Sequence, residues 1–374
     1  MRLTLVIATL GSGGAERVLT TLANHWERNG HEITIITLSG IGNDFYSLEP
    51  AIQRVGLDVM SESGGTVSAL TGNVRRLASL RSALSSSRPD VVLSFIDRTN
   101  VLTLLAGMGL KIPIVVSERV DPRQWPIGGT WNALRRMTYK RAATVVVQTQ
   151  AVVPWAKEFL PEDKVAVVPN PVTIGLGQSA KDGMPPMQLK PPIACAMGRL
   201  VPQKGFDLLI PAFAECARTR PNWTLIILGE GPERKRLEEL VARNGLEGRV
   251  LLPGNSTNPQ AILGQCDLFV LPSRFEGFPM ALCEAMAAGA TCLSFDCPSG
   301  PAEIVRPGLD GMLIPLSEDP SRLADGMARL MDDSHLRAAL RSRAPEIAER
   351  FSLERISARW LDVFERCLAN RPRR

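Results

Sequence analysis

The chain of 374 residues predicts an α/β fold built from two doubly wound domains with parallel sheets. Three observations carry that reading. Short apolar runs alternate with segments of helical periodicity, the pattern of a parallel sheet covered by helices on both faces. The alternation stops between Pro171 and Pro192, where Gly175, Gly177, Gly183, Pro185, Pro186 and Pro191 crowd a stretch with little apolar periodicity. Such a stretch reads as an interdomain linker. The pattern restarts at Ile193, and the length suits two domains of ordinary size. The expected divisions are a first domain at 1–172, a linker at 173–191 and a second domain at 192–351.

In the first domain, residues 3–8 read as the opening strand. The apolar run after Met1-Arg2 has no small-residue cleavage site behind it, and Glu16 and Arg17 follow soon after Gly11-Ser12-Gly13-Gly14, so a strand is preferred to a leader peptide. Ala15, Val18, Leu19, Leu22, Ala23 and Trp26 then recur at helical spacing. Further strands are expected at 32–38, 91–95, 114–117, 144–148 and 165–168, with His31 structural at a strand entrance. The second domain repeats the pattern with strands at 193–197, 224–228, 250–252, 268–271 and 292–295. A terminal helix at about 353–368 carries Ile356, Trp360, Val363, Phe364 and Cys367 on one stripe, a face that must be buried.

An apolar fraction of 45% against 22% charged residues is that of a globular chain with sizeable cores. The apolar run at 101–110 falls far short of the ~18 residues a membrane span needs. All seven cysteines lie in the second half without a Cys-x-x-Cys pair, and the three histidines are scattered. They read as small core hydrophobes of a reduced cytoplasm, with no zinc site. The net charge of +5 is modest and no nucleic-acid reader motif is present. It is concentrated, however: Arg119, Arg123, Arg135, Arg136, Lys140 and Arg141 face Asp121 alone. With Trp125, Trp131 and Tyr139 interleaved, that segment reads either as a surface for anionic headgroups or a phosphorylated partner, or as an ordinary solvated helix face.

The residues suited to chemistry concentrate in the second domain. Asp267-Leu268-Phe269-Val270-Leu271 reads as a buried strand delivering Pro272-Ser273-Arg274-Phe275-Glu276-Gly277-Phe278-Pro279 at its C-terminal end, where open α/β sheets bind ligands. Pro279 suits the first position of a helix that Gly289 stops. The helix start offers unpaired N–H groups and a positive dipole end to a phosphate. Glu276 then lies in the loop and Glu284 inside the helix. The run from Gly198 to Gly205 supplies two cations, Arg199 and Lys204, suited to neutralising a diphosphate leaving group. Leu228-Gly229-Glu230-Gly231 and Pro253-Gly254-Asn255 are tight turns after two further strands, so the sheet would gather all four segments at one edge. In the first domain Gly13 and Gly14 follow the opening strand and would let backbone approach a phosphate or a sugar, although no full G-x-G-x-x-G is present. Asp97, just after the 91–95 run, is a further candidate.

Taken in order, these segments resemble the family 4 glycosyltransferases over nearly the full length, most specifically at 198–205 and 273–289. The resemblance implies the GT-B fold: two Rossmann-like domains with parallel sheets facing across a cleft, and a C-terminal helix at about 352–374 crossing back to the first domain, anchored by Phe351 and Trp360. It implies a retaining, metal-independent enzyme with no cofactor. Such an enzyme moves a hexose or N-acetylhexosamine from a nucleotide-diphosphate sugar, UDP preferred to GDP, to a hydroxyl of a lipid-linked or growing glycan. Its expected place is the cytoplasm, peripheral to the membrane face. Glu276 matches the glutamate that contacts donor-sugar hydroxyls, and Glu284 the one that holds the ribose. Arg199 and Lys204 match the diphosphate pair, and the amides of Gly277 and Phe278 the loop facing sugar and phosphates. Pro279, Gly229 and Gly254 complete the donor side, and Gly13 and Gly14 belong to the Gly-Gly-Ala-Glu-Arg variant of surface-glycan enzymes. Where many relatives carry a first-domain histidine, this chain has Val116-Ser117-Glu118-Arg119. Either Glu118 or Arg119 fills that place, with Arg119 preferred for an acceptor phosphate. Asp97, Glu118, Arg119, Arg135 and Arg136 form the expected acceptor or membrane side.

Three rival readings fit less well. A glycoside hydrolase would need Glu276 and Glu284 as a pair, but two helical residues at that spacing stand ~12 Å apart along the axis, beyond carboxyl separations of roughly 5 to 9.5 Å. A sugar-nucleotide epimerase of the same fold could share the donor site but does not account for the basic first domain. A non-catalytic membrane-surface protein leaves the donor loop unexplained.

Overall fold

A computed structural model of the chain describes residues 1–42, 44–60, 66–173, 191–256 and 258–370, with the backbone alone at 66–71 and 73. The chain divides into two compact units, Met1–Pro171 with Leu353–Arg374, and Val172–Ser352. Most of the expected linker, residues 174–190, lies outside the described residues.

The first unit holds seven parallel strands: β1 (Arg2–Ile7), β2 (Glu32–Thr37), β3 (Gln53–Gly56), β4 (Val91–Phe95), β5 (Ile114–Ser117), β6 (Thr144–Val147) and β7 (Val165–Val167). Their order is β3-β2-β1-β4-β5-β6-β7, which reverses between β1 and β4. The central strands are buried on both faces and so read as continuous apolar runs. β3 escapes the sequence reading because Gln53-Arg54-Val55-Gly56 is a polar, half-exposed edge strand.

The helix Leu353–Ala369 belongs to this unit. The Trp26 indole N–H donates to Ser357 Oγ at 2.9 Å, Phe364 meets Trp26 edge-on at 5.5 Å, and Trp360 lies 6.0 Å from Phe95. Ile356, Trp360, Val363 and Phe364 are buried. At about 1.5–3 kcal/mol per buried side chain, that face far outweighs the few tenths expected of the exposed Arg366–Asp362 pair, so packing holds the helix. Phe351, expected as a second anchor, instead stays with the second unit. Its ring meets Phe278 at 5.2 Å, and its carbonyl accepts from the Val172 N–H at 2.8 Å.

The second unit holds six parallel strands: β8 (Ile193–Met197), β9 (Thr224–Leu228), β10 (Val250–Gly254), β11 (Leu268–Leu271), β12 (Cys292–Asp296) and β13 (Met312–Pro315). Their order is β10-β9-β8-β11-β12-β13. Here too one edge strand, the half-buried β13, goes unread in the sequence. The order reverses between β8 and β11, and such a switch point opens a crevice at the carboxyl ends of the two strands. The helices Phe206–Ala217 and Pro320–Asp332 close one face of the sheet over Phe213, Phe295 and Leu330. All seven cysteines are buried and none is in a disulfide. Among the described residues, no helix is long and apolar enough to cross a membrane.

Candidate active site

The four loops singled out in the second domain follow β8, β9, β10 and β11, and backbone contacts knit them together. The Gly198 N–H donates to Leu228 O at 2.9 Å, Leu200 N–H to Glu230 O at 2.9 Å, and Gly229 N–H to Gly254 O at 2.9 Å. Glycine is required where these loops touch. Gly229 has φ +137°, and a Cβ there would stand 2.0 Å from Gly198 O. Gly205 has φ +65°, and its Cβ would stand 2.0 Å from Pro272 O. That second contact seats the Lys204 turn directly against the Glu276 loop.

Across the β8/β11 switch point, Lys204 Nζ lies 2.6 Å from Glu276 Oε1, and the Ser273 hydroxyl donates to the same oxygen at 2.7 Å. Ser273 and Glu276 are buried, and Lys204 is mostly so. Both contacts fall on Oε1, which leaves Oε2 without a protein partner among the described residues. Arg199 is exposed and makes no side-chain hydrogen bond or ion pair among the described residues, so its guanidinium remains available for an anion. Among the described residues, the amides of Gly277 and Phe278 donate to no backbone carbonyl. Pro279 stands at the N-cap of the helix Met280–Ala287, one residue before the position the sequence predicts, and Glu284 is buried on that helix. The arrangement therefore offers a positioned carboxylate, a free cation, a shared lysine and open N–H donors, a set suited to a sugar diphosphate. Sequence reasoning missed Ser273, although its place three residues before Glu276 is the signal that could have found it.

In the first unit, the switch point lies between β1 and β4. Gly13 is the N-cap of the helix Gly14–Arg28, and the Tyr46 hydroxyl donates to its carbonyl at 3.0 Å. The Glu16 side chain folds back so closely that a Cβ on Gly13 would meet Glu16 Oε2 at 2.1 Å. A carboxylate therefore already sits at the positive end of this helix, which favours hydroxyl over phosphate recognition there. After β4, Ile96 takes φ +75°, a conformation that costs a β-branched residue about 1–3 kcal/mol, and it caps the helix Asp97–Ala106. After β5, Arg119 lies over the Phe95 ring at 4.3 Å and bonds Asn170 and Ser117. Burial pulls its pKa down to about 9, opposed by Glu16.

Arg135 is not a surface cation. It is buried, 3.4 Å from Glu118, with Tyr139 donating to the same Glu118 oxygen at 2.5 Å. A side chain so placed cannot meet a headgroup, which corrects the expectation for Arg135. Arg123 grips buried Asp121 through two oxygens, and Arg136 pairs with Glu158 at 2.6 Å. Of the six cations expected to form a basic surface, Arg135 is buried and Arg119 half-buried, while Arg123 and Arg136 are exposed but paired with carboxylates and Lys140 and Arg141 are exposed. Six buried side-chain polar atoms lack a hydrogen-bond partner among the described residues. Five of them belong to Asn100, Glu118, Arg119, Arg135 and Thr149, around the ends of β4, β5 and β6. Such atoms are costly to bury, at about 1–3 kcal/mol each, and their concentration marks this end of the sheet.

Burial raises the Glu118 carboxyl to about 7 against the attraction of Arg135 and the Tyr139 hydrogen bond. A carboxyl with a higher pKa folded than unfolded holds its proton more tightly in the native state. Its stabilisation is complete below about 4.5 and is lost as pH rises through about 7. Glu118→Gln cannot ionise, so the stability of wild type relative to this variant is expected to fall by about 3 kcal/mol between pH 4.5 and 7.5. Denaturant unfolding of both proteins at the two pH values measures it, and an unchanged difference would contradict the assignment.

Two family descriptions match the chain: Glycosyltransferase Family 4 over residues 12–175 and Glycosyl transferases group 1 over residues 181–347. The chain belongs to the family 4 glycosyltransferases. Two curated relatives from Campylobacter jejuni match this glycosyltransferase end to end. One is the GalNAc-alpha-(1->4)-GalNAc-alpha-(1->3)-diNAcBac-PP-undecaprenol alpha-1,4-N-acetyl-D-galactosaminyltransferase, 27% identical over 97% of this chain and 98% of its own. The other is the N-acetylgalactosamine-N,N'-diacetylbacillosaminyl-diphospho-undecaprenol 4-alpha-N-acetylgalactosaminyltransferase, 27% identical over 95% and 97%. Among solved structures, Anabaena HepE in complex with UDP superposes with a TM-score of 0.75 at 20% identity over 98% of this chain and 100% of its own. Sucrose-phosphate synthase from Thermosynechococcus elongatus gives 0.79 at 17% over 98% and 99%. At those identities the likeness establishes the shared GT-B architecture of the enzyme.

Proposed function

We propose that this glycosyltransferase moves an N-acetylhexosamine or hexose from a UDP-sugar, with retention of anomeric configuration, to a hydroxyl of a polyprenyl-diphosphate-linked saccharide. The observation that carries the reading is the Lys204–Glu276–Ser273 cluster at the β8/β11 switch point, with Arg199 free beside it. Glu276 Oε2 meets hydroxyls of the transferred sugar, and Glu284 takes the ribose. The bond between the anomeric carbon and the diphosphate oxygen breaks, and Arg199, Lys204 and the amides of Gly277 and Phe278 take up the charge that develops on the departing UDP. The acceptor oxygen bonds the same face of the anomeric carbon, and its proton passes to the departing diphosphate. The relatives' undecaprenyl-diphosphate acceptors support the acceptor class, and the UDP complex of a neighbour supports the base. The acceptor side is assigned to Asp97 and Arg119, and its lipid would bring the enzyme to the cytoplasmic membrane face. Assays pairing UDP- and GDP-sugars with lipid-linked saccharides should give a product of retained configuration by NMR, with activity persisting in EDTA. Transfer from no nucleotide sugar, or an inverted product, would overturn the proposal.

A further inference from the structure

Arg274 lies between Ser273 and Glu276 in the donor loop but points away from their oxygens. Its guanidinium uses all five N–H donors. Two go to Asp207 at 2.8 and 3.0 Å, two to Glu318 at 2.8 and 2.7 Å, and one to Pro202 O at 2.6 Å. Its backbone N–H donates to Gln203 O at 2.8 Å, and the Gln203 amide returns a bond to Phe275 O at 2.8 Å. Pro202, Gln203 and Asp207 flank Lys204 in sequence, while Glu318 lies in the loop after β13. One side chain therefore joins the loops after β8, β11 and β13, with Pro202 and Asp207 on either side of Lys204. Among the described residues, no other arginine in this unit is saturated in this way by residues bordering the site.

We propose that Arg274 is a positioning residue for sugar transfer. It fixes the Glu276 loop against the Lys204 turn, and so presets the spacing at which Glu276 meets the donor sugar while Lys204 stays within reach of the diphosphate. The inference rests on the donor-site reading above. A flat, forked guanidinium can grip two carboxylates and a carbonyl at once, whereas a lysine in its place reaches only one of them well. The Asp207 arm is the more sheltered, since Glu318 is largely exposed and its pair is weakened by water.

The test is steady-state kinetics with UDP-sugar as the varied substrate, beside UDP titration calorimetry and thermal unfolding, on wild type, Arg274→Ala, Arg274→Lys, Asp207→Asn and Glu318→Gln. The proposal expects Arg274→Ala to lose roughly 10- to 100-fold in kcat/KM, the scale of a misplacement of about 1 Å, with a raised donor KM and weakened UDP binding. Asp207→Asn should follow it in part, Arg274→Lys should recover a fraction, and Glu318→Gln should stay within about twofold of wild type. A purely structural role would lower the unfolding temperature and leave the donor KM of the folded fraction unchanged, which overturns the proposal. If Arg274→Ala does not fold, Asp207→Asn decides by the same donor KM. Wild type that neither transfers sugar nor binds UDP overturns the donor-site reading and this inference with it, whereas active wild type with an unaltered donor KM in the variants overturns this inference alone.

Discussion

Replacing Glu276 with alanine is expected to lower kcat/KM for sugar transfer by roughly 100- to 1,000-fold, the loss typical of one preorganised polar group facing the reacting centre. The substitution removes the carboxylate assigned to the transferred sugar and deprives the Lys204 ammonium of its partner at 2.6 Å. Glu276→Gln separates the two losses. Its amide oxygen can still accept from Ser273 and Lys204, so the loop should hold its shape while the charge is gone. The expected pattern is a large fall for both variants, with normal unfolding for the glutamine variant alone. Near-normal transfer by the alanine variant from every donor would remove Glu276 from the reaction.

Gly205→Ala is expected to destabilise the second unit by about 3 kcal/mol and to abolish most transfer. The residue has a left-handed φ, and the added Cβ would stand 2.0 Å from the Pro272 carbonyl. Neither atom can yield without moving backbone, which places the change among the overpacking and strained-backbone substitutions that cost most. Relief requires the Lys204 turn and the Glu276 loop to part, so stability and activity should fall together. Denaturant unfolding and the transfer assay read the two effects, and a variant of wild-type stability and activity would show that the contact is not maintained.

The sequence makes legible those parts of the fold in which burial is symmetrical. β4, β8 and β11 are buried on both faces and appear as apolar runs bounded by turn residues. β3 does not appear because Gln53-Arg54-Val55-Gly56 is polar and half-exposed, whereas β13 goes unread although Met312-Leu313-Ile314-Pro315 is apolar. The candidate loops after β8, β9 and β11 are readable because each follows a strand buried over most of its length. Their pairing is not, since Lys204 and Glu276 are 72 residues apart and meet only through a strand order that places β8 beside β11. Arg135 was misread for a related reason. An arginine on an exposed-looking helix reads as solvated, and its partner Glu118, 17 residues away on another element, becomes evident only when the chain is folded.

The membership of the helix Leu353–Ala369 in the first unit has a consequence for how the protein is made. The first unit is discontinuous, because roughly 180 residues of the second unit are synthesised between its body and its final helix. At about 5–20 residues per second, Trp26 and Phe95 emerge and then wait roughly 13–70 seconds for the helix that covers them. During translation the second unit can close from a continuous stretch of chain, while the first holds an apolar groove open until the C-terminal helix leaves the ribosome. Exposure of that groove to aggregation therefore lasts from synthesis of the first unit's body until the helix Leu353–Ala369 has been made.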